Sequence, residues 1–166
     1  MTSVENGVDF DLYAADYPLH LSWTSAGSTN AFLVLDRNGN GVIDNGQELF
    51  GDITPQPLIL HKNGFNALAV YDEPDNGGNG DGAITASDAV FTQLRLWQDT
   101  NHNGISESGE LHTLSDLGLA SIDLHYKASQ RTDQFGNKFY FRAKVTDAQG
   151  RQLGRWAWDV FLIVQP

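Results

Sequence analysis

The stretch Asp99-Thr-Asn-His-Asn-Gly-Ile-Ser-Glu-Ser-Gly-Glu110 decides how this chain is read. Short oxygen-bearing side chains stand at alternate positions, Asp99, Asn101 and Asn103, and Gly104 follows where the backbone must turn sharply. A twelve-position loop that wraps a hard cation takes oxygen ligands at positions 1, 3 and 5 and a Gly at 6. A backbone carbonyl follows at 7, and a carboxylate at 12 closes the site. Asp99, Asn101, Asn103, Gly104, the Ile105 carbonyl and Glu110 fill those places, with Glu107 at position 9 set to act through a water. Position 8 is Ser106 where an apolar residue suits pairing with a sister loop, so weakened pairing is expected.

Working outward, Asp36-Arg-Asn38-Gly-Asn40-Gly41 repeats the pattern, with the Val42 carbonyl at position 7 and Ile43 at 8. Its closing Glu48 falls at position 13, so either the exit is one residue longer or Asp44 at position 9 takes part of the ligation. Between the two lies Asn79-Gly-Asp81-Gly82, with the Ala83 carbonyl at 7 and Asp88 at 12. Counting back puts Gly77 at position 1, so Asp72 or Asp75 must supply the first ligand across an insertion, Glu73 to Gly77, that bulges outward. Asn-Gly and Asp-Gly pairs also make plain turns, because these residues tolerate positive φ. Three such loops, each with a carboxylate beyond its Gly, favour metal over turns. There is no Cys, and His20, His61, His102, His112 and His125 show no zinc-type spacing, so they are expected to be ordinary surface or core residues. The expected cofactor is Ca²⁺, two or three ions.

The charge distribution supports that reading. The 166 residues fit a single domain, and the net charge is −11. Residues 1–126 hold 18 Asp and Glu against 3 Lys and Arg, whereas residues 127–166 hold 3 against 7. The acidic part contains all three loops, and its carboxylates repel one another until cations bind. A chain loose without Ca²⁺ and ordered with it is expected. Asn in place of Asp lowers the charge at each ion, which points to dissociation constants on the order of 10⁻⁶ to 10⁻³ M. Sites of that strength fill outside a cell, so the expected location is extracellular or cell-surface. The expected partners are calcium and neighbouring domains of a larger secreted protein, with the chain monomeric. The acidic balance argues against nucleic acid. No apolar run is long enough to span a membrane, and the polar start Met1-Thr-Ser-Val-Glu-Asn6 is no leader. Export by another route, or a module cut from a longer chain, is therefore expected.

The expected fold is α+β: a β-rich part at residues 1–35, EF-hand-like loops with short helices at 36–118, and strands with a C-terminal hairpin at 119–166. Val8 to Leu12, Leu19 to Trp23 and Phe32 to Leu35 read as strands. Asn63 to Tyr71, Ser87 to Trp97 and Leu111 to Leu117 read as helices, the second carrying Ala89, Val90, Leu94 and Trp97 at helical spacing. Ser121 to Tyr126 reads as a strand. Lys138 to Thr146 and Arg151 to Val164 read as a hairpin around Asp147-Ala-Gln-Gly150. One hairpin face carries Lys138, Tyr140, Arg142 and Lys144 and offers contact to an anionic glycan, a partner protein or the chain's own acidic half.

The segments Leu35 to Asp52, Asn63-Gly-Phe-Asn-Ala-Leu-Ala69 and Leu94 to Leu111 resemble the calcium-binding self-processing module of bacterial RTX proteins, and related modules of other large secreted bacterial proteins. The resemblance covers about residues 32–126. It implies a module folded by calcium that promotes cleavage of an Asp-Pro bond at its N-terminal edge, the aspartyl anhydride then being open to capture by a lysine amine. This chain departs from that pattern. Pro18, Pro55, Pro57, Pro74 and Pro166 follow Tyr, Thr, Gln, Glu and Gln, so no Asp-Pro bond lies within it. The resemblance implies an Asp-rich stretch upstream of the residues that carry it, which residues 1–10 do not supply, and Tyr13-Ala-Ala-Asp16 is not expected to form the further Asp/Gly loop that the resemblance implies near Asp11. No nucleophile elbow, Walker loop, dinucleotide fingerprint or metallopeptidase helix occurs, so no enzyme activity is expected of the chain as it stands. A calcium-binding module is the leading expectation, with a trimmed autoproteolytic module or an adhesion or glycan-binding domain as rivals.

Overall fold

The computed structural model describes residues 1–152 and 155–165. In chain order its strands are β1 (Val8–Phe10), β2 (Leu19–Leu21), β3 (Phe32–Val34), β4 (Ala83–Thr85) and β5 (Arg95–Trp97). There follow β6 (Leu111–Thr113), β7 (Ser121–Asp123), β8 (Lys127–Thr132), β9 (Lys138–Thr146) and β10 (Trp156–Phe161). One α-helix, α1 (Gly64–Ala69), lies between β3 and β4. The strands make three antiparallel sheets: β1-β2, β3-β5-β6, and a larger one ordered β10-β9-β7-β4 with β8 also paired to β9. Strand β9 is long enough to take β8 along its first half and β7 along its second, with β10 on its other side.

The α+β expectation is overturned, because the fold is built of β-sheet and its loops lack flanking EF-hand helices. Only one of the three expected helices forms, and it is six residues long. Its start is set by Asn63, whose side chain accepts the Asn66 N–H at 2.9 Å. The expected linking helix, Ser87 to Trp97, is instead a single 3₁₀ turn at Ala89–Thr92 followed by β5. Its apolar residues fit a helical stripe, yet pairing of β5 with β3 and β6 satisfies the backbone on both sides. A helix this short is marginal on its own, so sheet pairing wins. The third expected helix begins as β6 and then makes one turn, in which Thr113 and Asp116 exchange N–H to side-chain bonds of 2.9 and 3.1 Å.

The expected N-terminal strands and the hairpin are present. Strand β10 spans Trp156–Phe161, shorter than the expected Arg151 to Val164, and residues 153–154 of that expectation lie outside the described residues. Strands β4 and β8 had no counterpart in the sequence reading. β8 is polar except for Ala128 and mostly exposed, so it carries no alternation to find.

Two small cores sit beneath the loops. An aromatic one gathers Phe10, Trp23 and Trp97 with Val8, Leu21, Val34, Ile43 and Leu49; Trp23 lies 5.2 Å from Phe10 and 5.5 Å from Trp97 between ring centres. An aliphatic one joins Leu68, Ile84, Leu94, Leu96, Leu114, Ile122 and Val145, linking α1 to the large sheet. β3 and β5 contribute to both, which fixes the first and third loops against the second.

Candidate metal-binding loops

The third loop closes the β5–β6 hairpin. Trp97 stands opposite Leu111, and the Gln98 N–H donates to the Glu110 carbonyl at 3.0 Å, so the two ends of the loop are clamped together. Asp99, 2% exposed, accepts the N–H groups of Asn103 and Gly104 at 3.1 and 2.8 Å. Its second oxygen also takes the Trp23 indole N–H at 2.8 Å. Glu110 folds back over the loop and accepts the Thr100 N–H at 2.8 Å and hydroxyl at 2.9 Å, with the Trp97 indole N–H at 3.3 Å. Burial works to raise the Glu110 carboxyl, but those hydrogen bonds outweigh it and hold the group below its ordinary range. Asn101 and Asn103 both donate side-chain N–H to one oxygen of Glu107, at 3.2 and 2.8 Å. Gly104 has φ +71°, and a Cβ there would sit 2.9 Å from the Asp9 carbonyl oxygen, so the turn and the close approach of β1 both demand glycine.

The first loop repeats the main features of this arrangement. Asp36 accepts the N–H groups of Gly39, Asn40 and Gly41 at 2.7, 3.2 and 2.8 Å. Asn38 and Asn40 donate to one oxygen of Asp44 at 3.3 and 2.7 Å. Glu48, 2% exposed, reaches back with one oxygen to the Arg37 N–H at 3.0 Å and with the other to the Asp44 N–H at 2.9 Å. Its place at position 13 thus leaves it over the loop, as Glu110 is at position 12.

In the second loop it is Asp72, not Asp75, that the fold brings to the first position. Asp72 accepts the N–H groups of Gly80, Asp81 and Gly82 at 3.0, 3.2 and 2.9 Å, as Asp36 does in the first loop. The intervening residues bulge out through a 3₁₀ turn at Pro74–Asn76, which carries the exposed Asp75 away. Gly78 packs directly on Asp72, where a Cβ would lie 2.1 Å from the Asp72 carbonyl carbon. Asp88 closes the loop by accepting the Asn79 N–H at 3.2 Å and the Thr85 N–H at 2.7 Å. In all three loops the residue at position 7 donates its N–H to the side chain at position 5: Val42 to Asn40, Ala83 to Asp81 and Ile105 to Asn103, at 2.9, 3.0 and 2.8 Å.

The loops are tied to one another by Ser106 and Arg37. The Ser106 hydroxyl accepts the Ile43 N–H at 2.6 Å and donates to the Ile43 carbonyl at 3.3 Å. Position 8 of one loop thus pairs with position 8 of the other through a side chain, which corrects the expectation that Ser106 weakens pairing. Arg37 bridges the first and second loops: it donates to the Gln47 carbonyl at 2.6 Å and to the Tyr71 hydroxyl, and lies over the Phe50 and Tyr71 rings at 5.1 and 5.6 Å. The need of a buried indole N–H for an acceptor hinted at roles for Trp23 and Trp97, but not at which carboxylate each serves. Asp11 also differs from expectation. It accepts the Ala15 and Asp16 N–H groups at 2.9 and 3.0 Å, with Ala14 and Asp16 at positive φ, so the loop turn forms even with Tyr13 and Ala15 at the ligand positions.

Chemically, each of the three loops presents three carboxylates, namely Asp36, Asp44 and Glu48; Asp72, Asp81 and Asp88; Asp99, Glu107 and Glu110. The remaining donors are amide and carbonyl oxygens. Such oxygen-only sets suit Ca²⁺ or Mg²⁺ rather than softer metals. Among the described residues, no group of three or more His, Asp or Glu side chains is drawn together at ligating distances. The carboxylates are instead spread over backbone N–H groups and asparagine amides. No helix among the described residues is long and apolar enough to cross a membrane.

Residues 1–162 match the sequence family described as the SPM domain. The protein "Iron-regulated protein FrpA" of Neisseria meningitidis serogroup C is 45% identical over 129 residues, which make up 77% of this chain and 11% of that protein. The chain therefore spans about a tenth of the length of the curated relative it matches.

Proposed function

The chain belongs to the SPM domain family, and with the loop geometry as support we propose that it is a calcium-folded module of a larger secreted or surface bacterial protein. The observation that carries this reading is the repetition. A plain turn needs one Asx–Gly pair, whereas here each of three loops also brings a distant carboxylate, Glu48, Asp88 or Glu110, back onto its own backbone. A cation at each loop would displace the amide contacts of Asn38 and Asn40 to Asp44, and of Asn101 and Asn103 to Glu107, and draw the carboxylates inward. The length of the relative supports the idea of a module, and the oxygen-only donor sets support calcium.

Calorimetric titration of chelated protein with Ca²⁺, with circular dichroism recorded at both ends, tests the proposal. Two or three ions bound with a gain in ordered structure is the expected result. Absence of binding heat, with unchanged dichroism, would show that the loops are turns and nothing more. The resemblance of Leu35 to Asp52, Asn63 to Ala69 and Leu94 to Leu111 to self-processing modules supports a second reading, in which the module promotes scission of an Asp-Pro bond in an adjoining segment. Fusing an Asp-Pro segment ahead of Met1 and adding Ca²⁺ decides it. Scission that depends on Ca²⁺ supports that reading, and an intact fusion on a Ca²⁺-folded module discards it.

A further inference from the structure

The large sheet ends at β10, whose outer edge pairs with no strand among the described residues. Past Phe161 the chain is covered again, since Ser22 donates to the Ile163 carbonyl and Gln165 to the His20 carbonyl, both at 2.8 Å. The open edge is therefore confined to Trp156–Phe161. An uncovered strand edge is a row of unpaired donors and acceptors that proteins normally hide. Here it borders a cleft of about 1460 Å³, larger than the roughly 300–1,000 Å³ of small-molecule pockets. Every residue from Arg155 to Leu162 lines that cleft. Successive strand residues point to opposite faces, so a cleft lined by all of them follows the edge itself. Residues 29–33 and 49–53 line it too, with residues 128–131 of β8 and Phe139, Arg142 and Val145 of β9.

Three buried polar atoms in the lining have no hydrogen-bond partner: Thr24 Oγ1 and, on the paired strands β9 and β10, Arg142 Nε and Asp159 Oδ2. Asp159 is 7% exposed, and its other oxygen takes the Gly64 N–H at 2.9 Å. Burial, opposed by that bond but reinforced by neighbouring Asp52, pushes its carboxyl above the ordinary range. Elsewhere in the lining Arg142 lies over Trp156 at 4.5 Å and Arg131 over Trp158 at 5.3 Å. Buried groups without partners are rare and call for an explanation.

We propose that the open edge of β10 accepts an extended peptide strand, which forms main-chain hydrogen bonds to Trp156–Phe161 and fills the cleft. Its side chains alternate, acidic ones meeting Arg131 and Arg142 and amine- or hydroxyl-bearing ones meeting Asp159 and Asp52. Charge complementarity selects this occupant, because the orphaned atoms of β9 and β10, Arg142 Nε and Asp159 Oδ2, are one donor and one acceptor. Strand addition of this kind draws affinity from the main chain and specificity from alternate side chains. The inference does not depend on cation binding by the loops.

The probe is a fluorescein-labelled peptide, Lys-Asp-Thr-Asp-Thr-Asp-Lys, titrated into the full chain with Ca²⁺ present and followed by anisotropy. Saturable binding is expected, abolished when alternate backbone amides of the peptide are N-methylated and lost when its Asp residues become Lys. Arg142→Gln is expected to weaken binding about tenfold or more, the loss of a charged hydrogen bond. Should that variant fold poorly, amide exchange in the unaltered chain gives a separate reading: alternate N–H groups of Trp156–Phe161 should slow on adding peptide. Absence of saturation, equal binding of the N-methylated peptide, or slowed amides only outside β10 each overturns the proposal. So does sedimentation showing self-association with β10 already protected, which would put a second copy on the edge.

Discussion

The acidic loops and the basic hairpin satisfy the same backbone groups by different means. In the loops, the N–H groups of Gly41, Gly82 and Gly104 end on the carboxylates of Asp36, Asp72 and Asp99. In the hairpin, N–H groups of β9 and β10 end on carbonyls of the facing strand. A carbonyl accepts at any pH and in any salt. A carboxylate accepts best when ionised, and nine of them crowded into three loops repel one another. The loops thus hold their backbone through ionisable groups, and the hairpin strands hold theirs through carbonyls.

Removal of Ca²⁺ should expose that contrast most strongly. Occupation at a hundredfold excess over Kd adds about 2.7 kcal/mol per site, so chelation should lower the melting temperature sharply. Amide exchange should quicken at Gly41, Gly82 and Gly104 while the β9–β10 amides hold. Equal quickening in both would mean the halves are stabilised as one. Next in size, Asp99→Ala strips acceptors from two backbone N–H groups and from the Trp23 indole, the Gly104 N–H and the indole being buried where water does not replace the lost oxygen. A loss of about 3 kcal/mol or more is expected by urea denaturation, in keeping with buried charged hydrogen bonds. Asp147→Ala removes a similar acceptor from the hairpin turn, where solvent reaches the freed groups, and should cost less.

Ser106→Ala comes third. It removes both bonds to Ile43, at about 1–2 kcal/mol, and it uncouples the first loop from the third. Calorimetry should then show those two loops filling independently. Unchanged coupling would shift the link to the aromatic core, which holds Ile43 and Trp97 together.

The sequence made the loops legible and their surroundings much less so. Loop spacing is local, and Asp36, Asp99 and Glu110 could be named from a count of residues. Asp72 was legible only as one of two choices, because a six-residue gap hides how the chain bulges. The helices failed for a related reason: Leu94, Leu96 and Trp97 suit either period, and only the presence of β3 and β6 on both sides decides for a strand. Trp23 sits 76 residues from Asp99, and Arg37 sits 34 from Tyr71. No pattern within either segment announces those contacts. β8, with Ala128 its one apolar residue, shows no strand pattern of its own and is recognised by its pairing with β9.

The smallest predicted effect separates the two halves by sign. Hydrogen bonds hold the Glu110 carboxyl below its ordinary range, so the folded form binds its proton less readily than the unfolded chain. Glu110 therefore adds stability above the ordinary carboxylate range, and loses it as pH falls through its lowered pKa. Asp159, beside the hairpin edge, is pushed the other way by burial. The folded form keeps its proton longer than the unfolded chain, so its ionisation costs stability as pH rises above the ordinary carboxylate range. In chelator, Glu110→Gln should destabilise at neutral pH with a difference that fades on acidification. Asp159→Asn keeps an oxygen for the Gly64 N–H and should stabilise at neutral pH by about 1 kcal/mol, the low end of the penalty for an unpaired buried group. That gain too should vanish at acid pH, where both forms are neutral. Melting curves of the two variants across pH should diverge toward neutrality in opposite directions; parallel curves would show that Asp159 is ionised without penalty and that its second oxygen is not an orphan in solution.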